Sequence, residues 1–299
     1  MEWRDIKGPV MEKVSMKRYT SMKVGGPVKY MISPVDEEDL RAVLARLREE
    51  NVAVRFLGKG TNVIVSDSGL NEAVVRVNRM QWIHRTKLRE GGTLIDAAGG
   101  VPLRGFIKAL ARRGLSGMEK LYWIPGTVGG AVKMNAGSFG VSISDTLRRV
   151  RLLDTRGEER CIREDALTFS YRSSPVKASE CVLSAEFSLK ERAVADIGAD
   201  MEYVYQERKK RHPMEFPSAG SVFKSVNGVA AWRFIEKAGL KGRRIGDAAV
   251  SEKHANFIIN LGAAKALDIK RLIETIKAEV LEHEGVALEE EVELWGFCA

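Results

Sequence analysis

FLGKGTNVIVSD, Phe56 to Asp67, and WIPGTVGGAVKMNAGSFG, Trp123 to Gly140, carry the residue types that let a phosphorylated ligand approach the main chain. The first sets Gly58 and Gly60 around Lys59 and follows them with Thr61, Asn62 and Val63. Successive amides in such a turn can point at one pyrophosphate, and the Thr and Asn side chains add donors. Taken alone, this GxGTN turn reads equally as a plain tight turn. It is neither a P-loop nor a Rossmann fingerprint, because the GxxxxGK[ST] and GxGxxG spacings are both absent. The second segment holds five glycines, one proline and almost no charge, and is expected to be neither regular helix nor regular strand. Glycine is retained where φ must be positive or where something approaches the backbone closely. Joined, the two segments read as two backbone loops holding a dinucleotide.

The elements that must position these loops come from a globular chain of 299 residues, 44% hydrophobic and 29% charged, long enough for two or three buried cores. Cys161, Cys181 and Cys298 show no metal-ligand or CxxC spacing, and an odd number makes no disulfide framework, so they read as buried or incidental thiols in a reducing compartment. MEWRDIKGPVMEK lacks an apolar signal core, and no run approaches the roughly 20 apolar residues of a membrane span. A cytoplasmic location is expected. The net charge of +8 suits a polyanion or a small phosphorylated substrate. The dense cluster Arg208 to Arg211 reads as either a solvated helix end or a polyanion-facing surface.

Apolar spacing predicts a helix over 36–50 behind an Asp36 N-cap, and a second opened by Pro102 and ended near Gly114. A hairpin turn is expected at Asp154 to Gly157, then a half-buried strand with Cys181, Leu183, Ala185, Phe187 and Leu189 alternating. A charged helix beyond 194, a helix around Val229 to Ala238 and a long amphipathic helix through Ile269 to Val280 follow, with a compositional boundary near residue 200. GDAAVSEKHANFIIN, Gly246 to Asn260, is expected as one strand.

The order and spacing of GKGTN at 58–62, IPGTVGGAVKMNAG at 124–137, YRSS at 171–174, AGSVFK at 219–224 and LEEEV at 288–292 resemble the UDP-N-acetylenolpyruvoylglucosamine reductases. These are flavoenzymes of bacterial peptidoglycan precursor synthesis. The resemblance runs nearly end to end and implies an α+β fold. It comprises a two-lobed FAD-binding region of the vanillyl-alcohol-oxidase type and a C-terminal α/β substrate-binding domain. The expected parts are an FAD lobe at 1–78, which the tail 289–299 rejoins, a second FAD lobe at 79–200, and a substrate domain at 201–288. The short separation of Arg172 from Ser221 resembles the family's short form, so no substrate-covering tyrosine is carried over.

The resemblance also implies roles. FAD falls to Gly58, Lys59, Gly60, Thr61, Asn62 and Val63 from the first loop. The second loop contributes Ile124, Pro125, Gly126, Thr127, Gly129, Gly130, Asn135, Ala136 and Gly137. NADPH reduces the flavin, and hydride from flavin N5 reaches C3 of the enolpyruvyl double bond. The charge left at C2 and its carboxylate falls to Arg172 and Glu291, and the proton at C2 to Ser221. Arg172 is permanently charged and suits a carboxylate. Glu291 either donates a hydrogen bond when protonated or orients Arg172 when ionised. Lys224, Lys253, His254 and Asn256 are the expected substrate contacts. Ser225 stands where some relatives have asparagine, and Glu290 where many have proline. The expected partners are NADPH and the UDP-sugar enolpyruvyl ether, without nucleic acid, membrane insertion or metal, and a monomer is favoured. An FAD oxidase of the same fold would share GKGTN and consume oxygen. A basic nucleic-acid-binding protein would be colourless and salt-sensitive.

Overall fold

The computed structural model describes residues 3–87 and 92–297, so Cys298 lies outside the described residues. The chain divides into two compact units. Unit 1 draws on Met1–Glu12, Lys29–Lys59 and Asn71–Glu207, and unit 2 on Lys13–Val28, Gly60–Leu70 and Arg208–Ala299. The resemblance implies a first FAD lobe at 1–78 rejoined by the tail 289–299, a second at 79–200 and a substrate part at 201–288, whereas these units each gather several stretches far apart in sequence. Composition along a chain does not register that kind of joining.

Unit 1 has two hydrophobic cores. In the first, α1 (Glu37–Glu49) packs Leu40, Val43, Leu44 and Leu47 against Tyr30, Ile32, Ala73 and Val75 of a sheet. That sheet is ordered Val10–Ser15, Pro27–Ile32, Leu70–Arg76, Val54–Leu57. The expected cap is present: the Asp36 carboxylate accepts from the Asp39 amide at 2.8 Å. Asp39, itself buried, accepts from the amides of Lys7, Gly8 and Val35 at 2.8–2.9 Å and ties the entering chain to the helix.

The second core lies on a sheet ordered Glu159–Arg163, Leu147–Asp154, Glu180–Glu191, Thr93–Ala98, Ile83–Lys87, with Leu115–Ser116 paired to the end of Glu180–Glu191. Against it pack α2 (Leu103–Ala111) and α3 (Val128–Lys133). Phe106 and Phe187 meet there with ring centroids 5.6 Å apart. Removing either ring from so closed a core costs about 3–5 kcal/mol. The strand Glu180–Glu191 keeps the expected half-buried alternation from Ala185 to Leu189 but departs from it over Glu180 to Ser184, where both faces are covered. Cys181 and Leu183 enter the α1 core, while Val182, Ala185, Phe187 and Leu189 enter the α2 core. Periodicity shows an alternating set of apolar residues but not what covers Val182 and Ser184 between them.

The charged helix is α4 (Val194–Arg211), which ends on the basic cluster. In unit 2, an antiparallel sheet ordered Ser218–Ser221, Phe257–Asn260, Ala248–Val250, Arg244–Ile245 carries α5 (Ala231–Lys237) and α6 (Ala266–Glu284). All five expected core positions of α6, from Ile269 to Val280, are buried. The amides of Ala266 and Leu267 donate to the two carboxylate oxygens of Asp67 at 3.0 and 3.1 Å, which neutralises the open end of the helix. Gly246 to Asn260 is not one strand. It forms two, Ala248–Val250 and Phe257–Asn260, joined by a turn over Ser251 to Asn256 in which the Ser251 hydroxyl accepts from the Lys253 amide at 3.1 Å. A separate parallel pair joins Val63–Val65 to Glu293–Trp295.

Candidate active site

In unit 1 the second glycine segment is more regular than its composition suggests. Thr127 caps α3 by accepting from the Gly130 amide at 3.2 Å, so VGGAVK folds as a short helix rather than an irregular loop. The stretch before it lies along the start of α2: the Leu103 amide donates to Gly126 O at 3.2 Å and the Val128 amide to Val101 O at 2.9 Å. Gly126 has φ +133°. A Cβ on Gly58 would stand 2.7 Å from Thr127 Oγ1, so only glycine lets the strand Val54–Leu57 exit beside this segment.

The same segment holds the Arg172 turn. Ser170 and Ser173 exchange main-chain hydrogen bonds of 3.3 and 3.1 Å around Tyr171 and Arg172, and Arg172 sits at φ +54°. A left-handed arginine costs of order 1–3 kcal/mol and persists only where surrounding contacts enforce it. Those contacts are the Asn135 side-chain amide donating to Ser170 O at 2.9 Å and the Ser174 hydroxyl donating to Lys133 O at 2.7 Å. Arg172 Nη2 lies 3.5 Å from Gly137 O, and its guanidinium stands over the Tyr171 ring at 5.1 Å. Asn135, Gly137 and Arg172 are therefore brought together. Ser170 and Ser174 are anchors that sequence reasoning missed. The only local signal was hydroxyls flanking an arginine, which many surface turns share.

In unit 2 the positioning is by main chain. Ser221 ends the strand Ser218–Ser221 at a register shift opposite Phe257–Asn260, with Gly220 at φ +82°. A bulge of this kind re-aims the side chain that follows it. The Ser221 hydroxyl makes no hydrogen bond among the described residues. Val222 is fixed by its amide to Asn256 O at 2.9 Å, and Phe223 by both of its main-chain groups to the Asn256 amide, at 2.9 and 2.8 Å. Asn256, expected as a substrate contact, is buried with its side chain committed to this tie.

The acidic run is paired rather than loose. The Glu291 amide donates to Val222 O at 2.7 Å, and the Lys224 amide to Glu289 O at 2.9 Å. The Asn62 side chain donates to Glu291 O at 2.9 Å, while Asn62 O accepts from the Glu293 amide at 2.9 Å. Main-chain and side-chain hydrogen bonds thus tie Asn62, Lys224 and Glu291 to the stretch that follows Ser221. Glu289 pairs with the Lys224 ammonium, and Glu290 with Lys277 at 2.8 Å. Gly60 lies against Tyr19, where a Cβ would stand 2.1 Å from its carbonyl oxygen, and it takes φ +63°. Val63 is buried in the strand beside Glu293. Thr61 is half-buried, and Lys253 is exposed 3.9 Å from Glu215.

His254 is neither a free surface histidine nor a bare ligand. Its Nδ1 accepts from the Asn256 amide at 3.3 Å, and its ring packs edge-on to His212 and Phe257 at 5.4 and 4.9 Å. Burial lowers its pKa. His212 is pushed down to about 3, first by burial and then by Arg208, His254, Lys253 and Arg211. Both rings are neutral near pH 7. The Cys181 thiol, fully enclosed, is pushed up to about 12 by burial, and Cys161 is exposed.

Family comparison agrees with this division of labour. Residues 28–162 match the model of an FAD binding domain, and residues 212–295 that of the UDP-N-acetylenolpyruvoylglucosamine reductase C-terminal domain. The chain is 38% identical over 291 residues to a UDP-N-acetylenolpyruvoylglucosamine reductase of Syntrophus aciditrophicus, covering 97% of this chain and 93% of the relative. It is 39% identical to that of Carboxydothermus hydrogenoformans, over 97% and 95%. The chain belongs to the UDP-N-acetylenolpyruvoylglucosamine reductase family. A solved reductase of this family, from Thermus caldophilus, superposes with a TM-score of 0.80 at 35% identity, covering 97% of this chain and 99% of that one. The expected fold class holds: an α+β FAD-binding region is followed by the reductase C-terminal domain, and the protein is an FAD-dependent oxidoreductase.

The residues present fit FAD. Within unit 1, the amides of Lys59, Gly126 and Thr127 have no hydrogen-bond partner among the described residues, which leaves donors for an anionic pyrophosphate. Asn135 Oδ1 is buried without a partner among the described residues and can accept from a ring N–H. Among the described residues no helix is long and apolar enough to cross a membrane.

Proposed function

We propose that the chain reduces the enolpyruvyl ether of UDP-N-acetylglucosamine-enolpyruvate to UDP-N-acetylmuramate, in peptidoglycan precursor synthesis, with NADPH as reductant. The observation that carries this reading is the match to reductases over 97% of the chain, with Arg172, Ser221 and Glu291 standing in the family's motifs. Bound FAD supplies the hydride for C3 of the enolpyruvyl group. The two glycine segments hold it: Gly58 to Val63 in one, Ile124 to Thr127, Gly129, Gly130 and Asn135 to Gly137 in the other. We retain 1–78 and 79–200 as the FAD lobes and 201–288 as the substrate part.

Arg172 pairs with the substrate carboxylate and holds the charge that grows on it as C3 gains hydride. A fixed donor of this kind is worth about 10²- to 10³-fold in rate. Glu291 stabilises the same enolate. Ser221, whose hydroxyl is uncommitted, delivers the proton to C2. Lys224, Lys253 and His254 meet the uridine diphosphate. His254 does so as a neutral donor through Nε2, since its Nδ1 already accepts from the Asn256 amide and burial lowers its pKa.

The test is optical. The purified protein shows an oxidised-flavin spectrum that NADPH bleaches and the enolpyruvyl sugar nucleotide restores under anaerobic conditions. Rapid oxygen consumption without the sugar nucleotide would instead identify an oxidase, and a colourless protein with salt-steep oligonucleotide binding would overturn the flavoenzyme reading.

A further inference from the structure

Trp123 is the residue from which the segment Ile124 to Gly126 departs, and its backbone is in the left-handed region at φ +71°. For so bulky a residue that conformation is an outlier. Three groups hold the ring. The Arg104 guanidinium stands over it at 4.1 Å from the ring centre, the Tyr205 ring stacks on it at 4.7 Å and 22°, and Tyr122 meets it edge-on at 5.8 Å. A guanidinium and a parallel ring at such distances from one centre need its two faces. Arg104 belongs to α2, whose first amide, on Leu103, holds Gly126 O. The start of α2 therefore grips the segment at both ends, through the Trp123 ring and through the Gly126 carbonyl. Tyr205, from α4, closes the sandwich.

We propose that Arg104 and Tyr205 are positioning residues for FAD, acting through Trp123 to hold Ile124 to Thr127 in the conformation that leaves the Gly126 and Thr127 amides free. The idea rests on the reading that this segment holds the cofactor. Neither side chain needs to touch the flavin. Their role is to keep a strained residue in place, so that the amides are pre-arranged and the cost of ordering them is not charged against binding. An unpinned Trp123 relaxes to negative φ and re-aims the next peptide units.

The experiment follows FAD release from diluted holoenzyme by flavin fluorescence, beside the melting temperature of each variant. Arg104→Gln and Tyr205→Leu should weaken FAD retention roughly 3- to 30-fold, with melting temperatures of the flavin-free proteins close to wild type. Arg104→Lys, which keeps a cation over the ring, should recover most of the loss. The decisive arm is the cycle with Trp123→Gly. Glycine occupies φ +71° without strain, so adding Arg104→Gln in that background should change FAD release less than about 2-fold. An equal loss from Arg104→Gln in both backgrounds, or unchanged release from Arg104→Gln alone, overturns the proposal. Gly126→Val is the separate control on the underlying reading. If it keeps full flavin, the assignment of the segment itself fails.

Discussion

The two units solve the same problem, holding a side chain proposed to act in the reaction, by different means. Unit 1 holds Arg172 at the tip of a strained turn through side-chain anchors, Asn135 and Ser174, each tied to one carbonyl. Unit 2 holds Ser221 and the stretch ending in Glu291 through main-chain pairing, with Asn256 closing both groups of Phe223. The contrast follows from the side chains. A guanidinium on a long stem reaches and adjusts, so its backbone needs only approximate support, whereas a serine hydroxyl moves only as its strand moves. Short reach demands a stiff frame.

The largest expected effect falls on the stiff frame. Ser221→Ala removes the proposed proton donor, so turnover should drop by about 10²- to 10⁴-fold, with flavin bleaching by NADPH intact. Ser221→Cys should retain more activity than Ser221→Ala. Stopped-flow half-reactions check this, and near-normal turnover of Ser221→Ala would remove Ser221 as the acid and blur the contrast.

Next comes the adjustable side. Arg172→Gln should slow flavin reoxidation by the sugar nucleotide on the order of 10²- to 10³-fold while sparing reduction by NADPH, because only reoxidation builds charge on the carboxylate. Arg172→Lys should sit between, since a point charge replaces a planar fork. Equal losses in both half-reactions would point to a structural role for the turn.

Legibility differed between the units for related reasons. The helices α1, α2 and α6 were readable because their apolar spacing is local, and in α1 the Asp36 cap forms as spacing predicts. Arg172 and Ser221 are proposed only through motif order, since an arginine in a turn and a serine in a strand carry no local mark of chemistry. What stayed hidden depends on partners distant in sequence. Asn62 meeting Glu291 and the second covered face at the start of Glu180–Glu191 are examples, whereas the splitting of Gly246 to Asn260 rests on a local turn at Ser251 that a single serine does not announce.

A smaller pair of effects tests the anchors themselves. Asn256→Ala leaves two buried main-chain groups of Phe223 unpaired and should cost about 1–3 kcal/mol in chemical denaturation. Asn135→Ala gives up a single donated bond and should cost about 1 kcal/mol. The reverse ranking would mean that unit 1 is the stiffer frame.

The smallest effect is on pH dependence in unit 2. His212 in the folded protein is pushed down to about 3, below its ordinary 6.5, so between these values the unfolded chain binds the extra proton. Its contribution is fully present above pH 6.5 and is lost as pH falls toward 3. From pH 7 to 5.5 the loss should be on the order of 1 kcal/mol. His212→Leu should flatten that slope in denaturation curves, and an unchanged slope would assign the acid sensitivity to other groups.

The parallel pairing of Val63–Val65 with Glu293–Trp295 has a consequence for how the protein is made. During synthesis on the ribosome, three apolar residues that end buried wait with an open edge until Glu293–Trp295, far along the chain, has emerged. A nascent chain stalled before Glu293 leaves the segment just past the GKGTN loop without this partner and open to chaperones and proteases.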